Sequence, residues 1–157
     1  MSRERITVNE LTEASELAAF ASNPAAVLDV TRLDLRRLPE HVKAGLYTEA
    51  TTFSTPQLKT SGKIDAGSAT SFSAPQLQKS GYIDAGSATS FSAPQLQKSG
   101  HIYAPNATSF SVPQLQTSGD IDARSAASVA SRVAAEHWNA ASERALFCVS
   151  PAKKVCA

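Results

Sequence analysis

The sequence has little charge, few aromatic side chains and only two cysteines. Of its 157 residues, 18% are charged, and the formal net charge is +1. The chain therefore lacks both the basic excess typical of a nucleic-acid-binding surface and the acidic excess of a nucleic-acid mimic. It also lacks a run of about 18 apolar residues and the apolar core of a secretory signal. We therefore expect a cytoplasmic protein of one domain, with neither a membrane nor a nucleic acid as its partner.

Motifs for catalysis and for metal binding are also missing. Cys148 and Cys156 lack the CxxC spacing and the neighbouring histidines that a zinc site requires. His41, His101 and His137 are dispersed, and none has a nucleophile beside it in the pattern of a catalytic triad. A glycine-rich phosphate loop is absent as well. These absences favour a protein without a cofactor, a metal or an enzymatic activity.

The chain does contain a short internal repeat. Phenylalanine recurs with a 19-residue period, and proline, leucine, glycine and isoleucine follow the same period. The phenylalanines are Phe53, Phe72, Phe91 and Phe110. A helical-hairpin repeat needs about 30 residues or more, whereas one coil of a β-solenoid or a short leucine-rich repeat fits this length. The period therefore predicts a solenoid built of short strands.

Each unit contains the pattern Gly-x-Ile-x-Ala, which predicts a short strand with Ile and Ala on its inner face. The predicted strands cover residues 63–66, 82–85, 101–104 and 120–123. The following arc carries Phe, an Ala or Val before Pro, and Leu, and we expect these apolar residues to complete the core. Successive coils should pair in parallel about 4.8 Å apart, so that identical residues form ladders through the core.

The apolar spacing also carries a family resemblance. Residues 83–96, with the pattern I-x-A-x-x-A-x-x-F-x-A-P-x-L, resemble the short leucine-rich repeat of bacteria, and LDLRRLPEHV at 33–42 resembles it more closely. In the latter segment the matching residues are Leu33, Leu35, Leu38 and Pro39. The resemblance covers roughly residues 28–126. It implies a protein-recognition scaffold whose ligand lies across the strand face, and it implies no catalytic residue.

One position departs from this family. The asparagine ladder of the family is replaced by alanine in every unit. These alanines are Ala69, Ala88, Ala107 and Ala126. Alanine cannot form the side-chain hydrogen bonds of the turn, so a straighter rod of the β-helix type is the alternative to a horseshoe.

Both ends of the sequence are predicted to be helical caps. Residues 7–24 begin with Thr7 and Glu10 at capping-box spacing and stop before a proline. Their apolar stripe comprises Leu11, Leu17 and Phe20. The alanine-rich segment 125–147 predicts a second helix, with Val129, Val133, His137 or Trp138, Ala141 and Ala145 along one face. The predicted parts are an N-terminal helical cap 1–24, divergent first coils 25–52, four repeats 53–126, a C-terminal helix 127–150 and a tail 151–157.

Two outward strand positions vary between units, whereas the core positions stay nearly fixed. The residue before the isoleucine is Lys63, Tyr82, His101 and Asp120 in turn, and the residue after it is Asp65, Asp84, Tyr103 and Asp122. Such variation arises either from drift at positions where nothing packs or from selection for a partner. Drift should also scatter through the exposed arc, which changes little. We therefore predict that these eight residues bind a partner.

Two other functions remain alternatives. Asp65 and Asp84 should stand one strand spacing apart, close enough to share a calcium ion or to raise the pKa of one carboxyl, as in a polysaccharide-acting β-helix enzyme. Coils as short as these leave no long loops for a catalytic cleft.

A threonine ladder, Thr70, Thr89 and Thr108, is the feature expected of a protein that binds ice or another regular surface, although the strand face itself is chemically mixed.

The sequence thus predicts a mostly β protein, a capped parallel β-solenoid that binds another protein. A concrete form is an inhibitor or adaptor from a bacterium or a mobile element, for example a blocker of a host defence complex. A possible second interface comprises His137, Trp138 and Arg144 on the C-terminal helix. Homodimerisation through a coil edge or through that helix is a further expectation.

Overall fold

The chain winds as a parallel β-solenoid, as the repeat predicts. The computed structural model describes residues 4–126 and three later strands. In chain order the strands are β1 (Glu4–Asn9), β2 (Ala26–Arg32), β3 (Gly45–Tyr47), β4 (Thr52–Ser54), β5 (Ile64–Asp65), β6 (Ser71–Ser73), β7 (Ile83–Asp84), β8 (Ser90–Ser92), β9 (Ile102–Tyr103), β10 (Ser109–Val112), β11 (Ile121–Ala123), β12 (Ser128–Ser131), β13 (Trp138–Ala140) and β14 (Leu146–Cys148). The helix α1 (Ala14–Ala21) follows β1, and a 3-10 helix (Leu35–Arg37) follows β2.

Three lines of parallel pairing run along the stack of coils. The first sheet has the order β1-β2-β3-β5-β7-β9-β11-β13 and contains the strands that the Gly-x-Ile-x-Ala pattern predicts. The second sheet has the order β14-β12-β10-β8-β6-β4 and contains the Ser-Phe-Ser segments. A third line consists of single bridges that join His41, Thr60, Lys79, Lys98 and Thr117 in sequence. Each repeat unit therefore contributes one element to each line.

The predicted inward residues form the core. The four repeat phenylalanines are in register in the second sheet, and their ring centroids are 4.8, 4.5 and 4.7 Å apart in successive pairs. The isoleucines of the first sheet and the leucines of the arc are also fully or almost fully buried. The isoleucines are Ile64, Ile83, Ile102 and Ile121, and the leucines are Leu58, Leu77, Leu96 and Leu115. Each coil thus buries its apolar set against its neighbours, as a repeat architecture requires.

Tight turns connect the first sheet to the second, and the second sheet to the line of bridges. The N–H of Ala88 donates to the carbonyl of Ala85 at 3.0 Å, and the N–H of Leu96 donates to the carbonyl of Ala93 at 3.1 Å. Equivalent bonds recur in neighbouring units. Ala88 occupies the position of the missing ladder asparagine and is itself buried, so at this position the turn is closed by a backbone hydrogen bond and not by a side chain.

The second sheet is a feature that the sequence interpretation missed. The sequence pattern predicts an arc over the Ser-Phe-Ser segments because a proline follows two residues later. The proline lies just beyond each strand, so its missing N–H removes no bond between the paired residues. The segment closest to a leucine-rich repeat, residues 33–42, has a 3-10 helix instead of a strand after the first sheet. The repeat units are therefore closer in cross-section to a β-helix.

The N-terminal cap differs from its prediction. Thr7 lies in β1, which pairs in parallel with β2, and α1 begins only at Ala14 without a side-chain cap. Leu11 is 89% exposed and so does not belong to a buried stripe, whereas Leu17 is buried. Thr, Val and Asn are weak helix formers, and pairing with β2 satisfies their backbone groups instead.

The helix α1 forms one side of the first coil. The carbonyl of Ala21, its last residue, accepts bonds from the N–H groups of Lys43 and Ala44 at 2.7 and 3.1 Å. The guanidinium of Arg37 donates to the carbonyls of Asn9 and Glu10 and so fixes the loop before the helix. The helix is thus stacked within the solenoid.

The predicted C-terminal helix over 127–150 is not confirmed. The three segments described in this range are the strands β12, β13 and β14, and each continues one of the two sheets. Ile121 pairs with Trp138, and Val129 pairs with Leu146, so the last coils are slightly shorter than the regular units. Lateral pairing therefore overrides the helix propensity of alanine. Val133, His137, Ala141, Arg144, Ala145 and the tail with Cys156 lie outside the described residues.

Candidate functional site on the strand face

The eight variable residues lie together on the outer surface of the first sheet, which we call the strand face. The register pairs Asp65 with Asp84, Asp84 with Tyr103, and Tyr103 with Asp122. Lys63, Tyr82, His101 and Asp120 form a second column beside them, because each precedes a paired isoleucine. All eight side chains are partly or largely exposed, while the isoleucines between them are buried.

The two columns extend into the first coils. Tyr47 pairs with Asp65 in one direction and with Asp29 in the other, and Arg5 and Gly45 are both paired with Val27. The sequence interpretation missed these residues because the first coils depart from the regular period: the coil from Val27 to Gly45 is shorter than a repeat unit, and that from Arg5 to Val27 is longer. The available signal was the recurrence of leucine at Leu28 and Leu46, which pair in the structure.

Cations of the chain lie over two tyrosine rings of these columns. The guanidinium carbon of Arg5 is 3.8 Å from the ring centroid of Tyr47. The ammonium of Lys63 is 5.3 Å from the ring centroid of Tyr82 and 3.7 Å from a carboxylate oxygen of Asp65. Such contacts contribute about 0.5–1 kcal/mol at exposed sites. Tyrosines on this surface therefore present faces that accept a cation.

An open depression of about 230 Å³ lies at the N-terminal part of the same surface. It is located over Gly45, which has no side chain to fill it, and Arg5, Tyr47 and Lys63 are among its walls. A second open depression of about 290 Å³ lies beside Asp29. Enclosed ligand pockets are usually about 300–1,000 Å³ in volume, so these shallow features suit contact with a larger surface better than enclosure of a small substrate.

Asp84 adjoins Tyr82 along its own strand and Tyr103 on the next strand. One of its carboxylate oxygens accepts the N–H of Gly86 at 3.0 Å. The ring of Tyr103 lies over the same turn, since a Cβ placed on Gly86 would be 3.3 Å from a ring carbon. Burial raises the pKa of the Tyr82 hydroxyl, and the negative charge of Asp84 raises it further. Tyr82 is therefore a neutral phenol at physiological pH.

The C-terminal end of the strand face contains one ion pair and one histidine hydrogen bond. Arg124 pairs with Asp122, and its hydrogen bond lowers the pKa of that carboxyl. His101 accepts the backbone N–H of Asp120 at its Nδ1 at 3.0 Å, and the carboxylate of Asp120 is 3.8 Å from the same nitrogen. The rings of Tyr82 and His101 are 6.3 Å apart, so the second column forms a continuous row.

The unit 90–108 differs from the unit before it at four positions, and the structure shows how the turn accommodates them. In the unit before it, the N–H of Ser87 donates to the carbonyl of Gly67 at 3.1 Å. In the unit 90–108, it is the side-chain amide of Asn106 that donates to the carbonyl of Gly86, at 2.6 Å. The change to Tyr103, Pro105 and Asn106 therefore keeps the turn carbonyl hydrogen-bonded.

The uniform arc has a structural cause. The hydroxyl of Thr89 donates to the carbonyl of Thr70 at 3.2 Å, and Thr70 and Thr108 make the same contact with the coil before them. The hydroxyl of Ser99 donates to the carbonyl of Gly81 at 3.1 Å, and Ser80 and Ser118 do likewise. These bonds account for the constancy of the threonine and serine at these positions of the arc, and they give the threonine ladder a role in coil stacking.

The structure shows two further features that bear on function. Within the part of the chain that it describes, no three or more His, Cys, Asp or Glu side chains converge as a metal site requires. None of the helical segments among the described residues has the length and apolar character of a membrane-spanning helix. Of the possible second interface, Trp138 lies in β13, whereas His137 and Arg144 fall outside the described residues.

Comparison of the chain with protein-family models, with curated protein sequences and with solved structures finds no match.

Proposed function

We propose that this protein is a non-catalytic binding protein whose strand face contacts another protein. The observation that carries the proposal is the placement of Tyr82 and Tyr103 on adjacent coils of that face, partly exposed above a buried layer of isoleucine. Tyrosine is a frequent anchor of interfaces because its ring buries apolar area while its hydroxyl keeps a hydrogen bond. The side chains of the face change from coil to coil without altering the core.

The more specific form of the proposal is an inhibitor or adaptor of a bacterium or a mobile element, acting in the cytoplasm, such as a blocker of a host defence complex. Its support is the recognition role that the leucine-rich-repeat resemblance implies. Homodimerisation through a coil edge is part of the same proposal, since β1 is an edge strand of the first sheet.

The experiment compares the wild-type chain with a double variant as bait. Tyr82→Ala with Tyr103→Ala should weaken binding of the partner captured from bacterial lysate by more than about 2 kcal/mol, because hot-spot residues have effects of this size. Gln76→Ala with Gln95→Ala is the matched control, as both residues are exposed and lie away from the strand face. Mass spectrometry identifies the partner, and titration calorimetry measures its affinity.

Thermal unfolding of both double variants should stay close to that of the wild type, because exposed positions contribute little to stability. Normal partner affinity in the tyrosine variant, together with loss of affinity on substitution of Trp138 or Arg144, would assign binding to the C-terminal segment instead of the strand face.

A further inference from the structure

The strand face differs in charge from the chain as a whole. Its eight residues include four carboxylates and one lysine, whereas the complete sequence has a formal net charge of +1. Lys63 lies 3.7 Å from a carboxylate oxygen of Asp65, and Arg124 from the adjoining turn pairs with Asp122. Asp84 has no basic group within ion-pair distance among the described residues, so the centre of the face has an uncompensated negative charge.

The surroundings of Asp84 favour a cation that also contacts an aromatic ring. Tyr82 precedes Asp84 by two residues on the same side of the strand, and Tyr103 is its direct partner on the next strand. The chain already places Arg5 over Tyr47 and Lys63 near Tyr82. A guanidinium can donate hydrogen bonds to a carboxylate while its plane stacks on a tyrosine.

We propose that the strand face receives a basic segment of its partner protein, with an arginine side chain seated against Asp84 between Tyr82 and Tyr103. This inference rests on the proposed function and specifies the chemistry of the partner. A polyanion such as nucleic acid is repelled by the same carboxylates. Charge complementarity of this kind increases the rate of association and selects among partners.

The test uses the full chain and a fluorescent oligo-arginine peptide, with the same peptide containing citrulline as the neutral control. Fluorescence anisotropy should show binding of the arginine peptide and little binding of the citrulline peptide. Asp84→Asn should weaken binding about tenfold, as expected for loss of a charge-assisted hydrogen bond. The asparagine oxygen can still accept the N–H of Gly86, so the turn is preserved.

Glu16→Gln is the matched control, because it removes one exposed negative charge from α1, away from the strand face. It should leave the affinity for the arginine peptide unchanged. An equal loss in this variant, equal binding of the citrulline peptide, or no binding of the arginine peptide by the wild type would each overturn the inference.

Two further measurements separate the possible failures. If the captured partner requires Tyr82 and Tyr103 but binds Asp84→Asn normally, the proposed function stands and the basic segment is wrong. If none of these variants changes partner binding, both proposals are wrong.

Lys79 and Lys98 form an exposed basic pair on the line of bridges. A wild-type dimer in sedimentation that dissociates in Lys79→Glu with Lys98→Glu would identify a second copy as the occupant and overturn the inference.

Discussion

The ring of Phe72 lies 4.5 Å from the ring of Phe91, centroid to centroid, with their planes only 5° apart. Phe91 makes a second such contact with Phe110, at 4.7 Å. Each interior ring of this row is therefore packed between two others, and each pair contributes about 0.5–1.5 kcal/mol beyond the burial of its area. Adjacent coils are thus joined by stacked rings in the core as well as by backbone pairing between their strands.

Phe91→Ala should lower the free energy of unfolding by about 3–5 kcal/mol, because it removes a fully buried ring and leaves a cavity. Phe53→Ala should cost less by about the value of one ring pair, since Phe53 contacts one neighbouring ring of the row, Phe72. Chemical denaturation measures both. Gln95→Ala is the control at an exposed position, and a cost equal to that of Phe91→Ala would contradict the core assignment.

Thr55→Val should stabilise the protein by about 1 kcal/mol, because a buried hydroxyl without a partner loses its hydration without compensation. Thr55 is completely buried, and its hydroxyl oxygen has no hydrogen-bond partner. The equivalent positions in later coils hold alanine or valine, including the buried Val112. Chemical denaturation measures the change. The reverse substitution, Val112→Thr, should destabilise the protein, and a gain of stability there would refute this explanation.

Asp122 should stabilise the protein at neutral pH but not in strong acid. The hydrogen bond from Arg124 lowers the pKa of this carboxyl in the folded state, so the charged form contributes stability that is complete above its unfolded pKa of about 3.9. The contribution is lost as the pH falls through the lower folded pKa. Denaturation of the wild type and Asp122→Asn should therefore differ at neutral pH and converge in acid; a constant difference would show that the contact acts through packing.

Deletion of residues 72–90 should leave a folded protein that is one coil shorter. The new junction joins Ser71 to Phe91, which reproduces the native Ser-Phe sequence, and each coil contacts only its neighbours. Deletion of 72–80 is the control, because it removes about half a coil and shifts every later ladder out of register. Circular dichroism and denaturation should show a cooperative transition for the first deletion and none for the second.

The regular repeats were the predictable part of the fold because their period is set by stacking. The spacing of Ile83, Phe91 and Leu96 identifies the core residues of every unit, and the structure confirms that they are buried. The second sheet was missed because Ser-Phe-Ser before Ala-Pro has the composition of an exposed arc. Its strands become evident only when the stacking of coils supplies their pairing partners.

The ends and the site were harder to predict. Around Val129 an alanine-rich sequence fits both a helix and a strand, and the pairing with Phe110 decides for the strand. Tyr47 belongs to the face but lies in a coil of irregular length, so the period of the repeats does not reach it. From the sequence, the constancy of Thr89 and Ser99 suggests that the arc is preserved while the strand face varies for a partner. In the structure, both residues are constant because their hydroxyls donate hydrogen bonds to carbonyls of the neighbouring coil.

The bond between Asn106 and Gly86 shows that the unit 90–108 itself supplies the group that fits its altered turn to the coil before it. The side-chain amide of Asn106 in the altered turn donates a hydrogen bond to the unchanged turn of 71–89. Exchange of a complete unit therefore transfers the outward residues together with the side chain that bonds their turn to the coil before. For protein engineering, a new recognition surface on this solenoid is best made by exchanging whole units, so that each strand is transferred together with its turn.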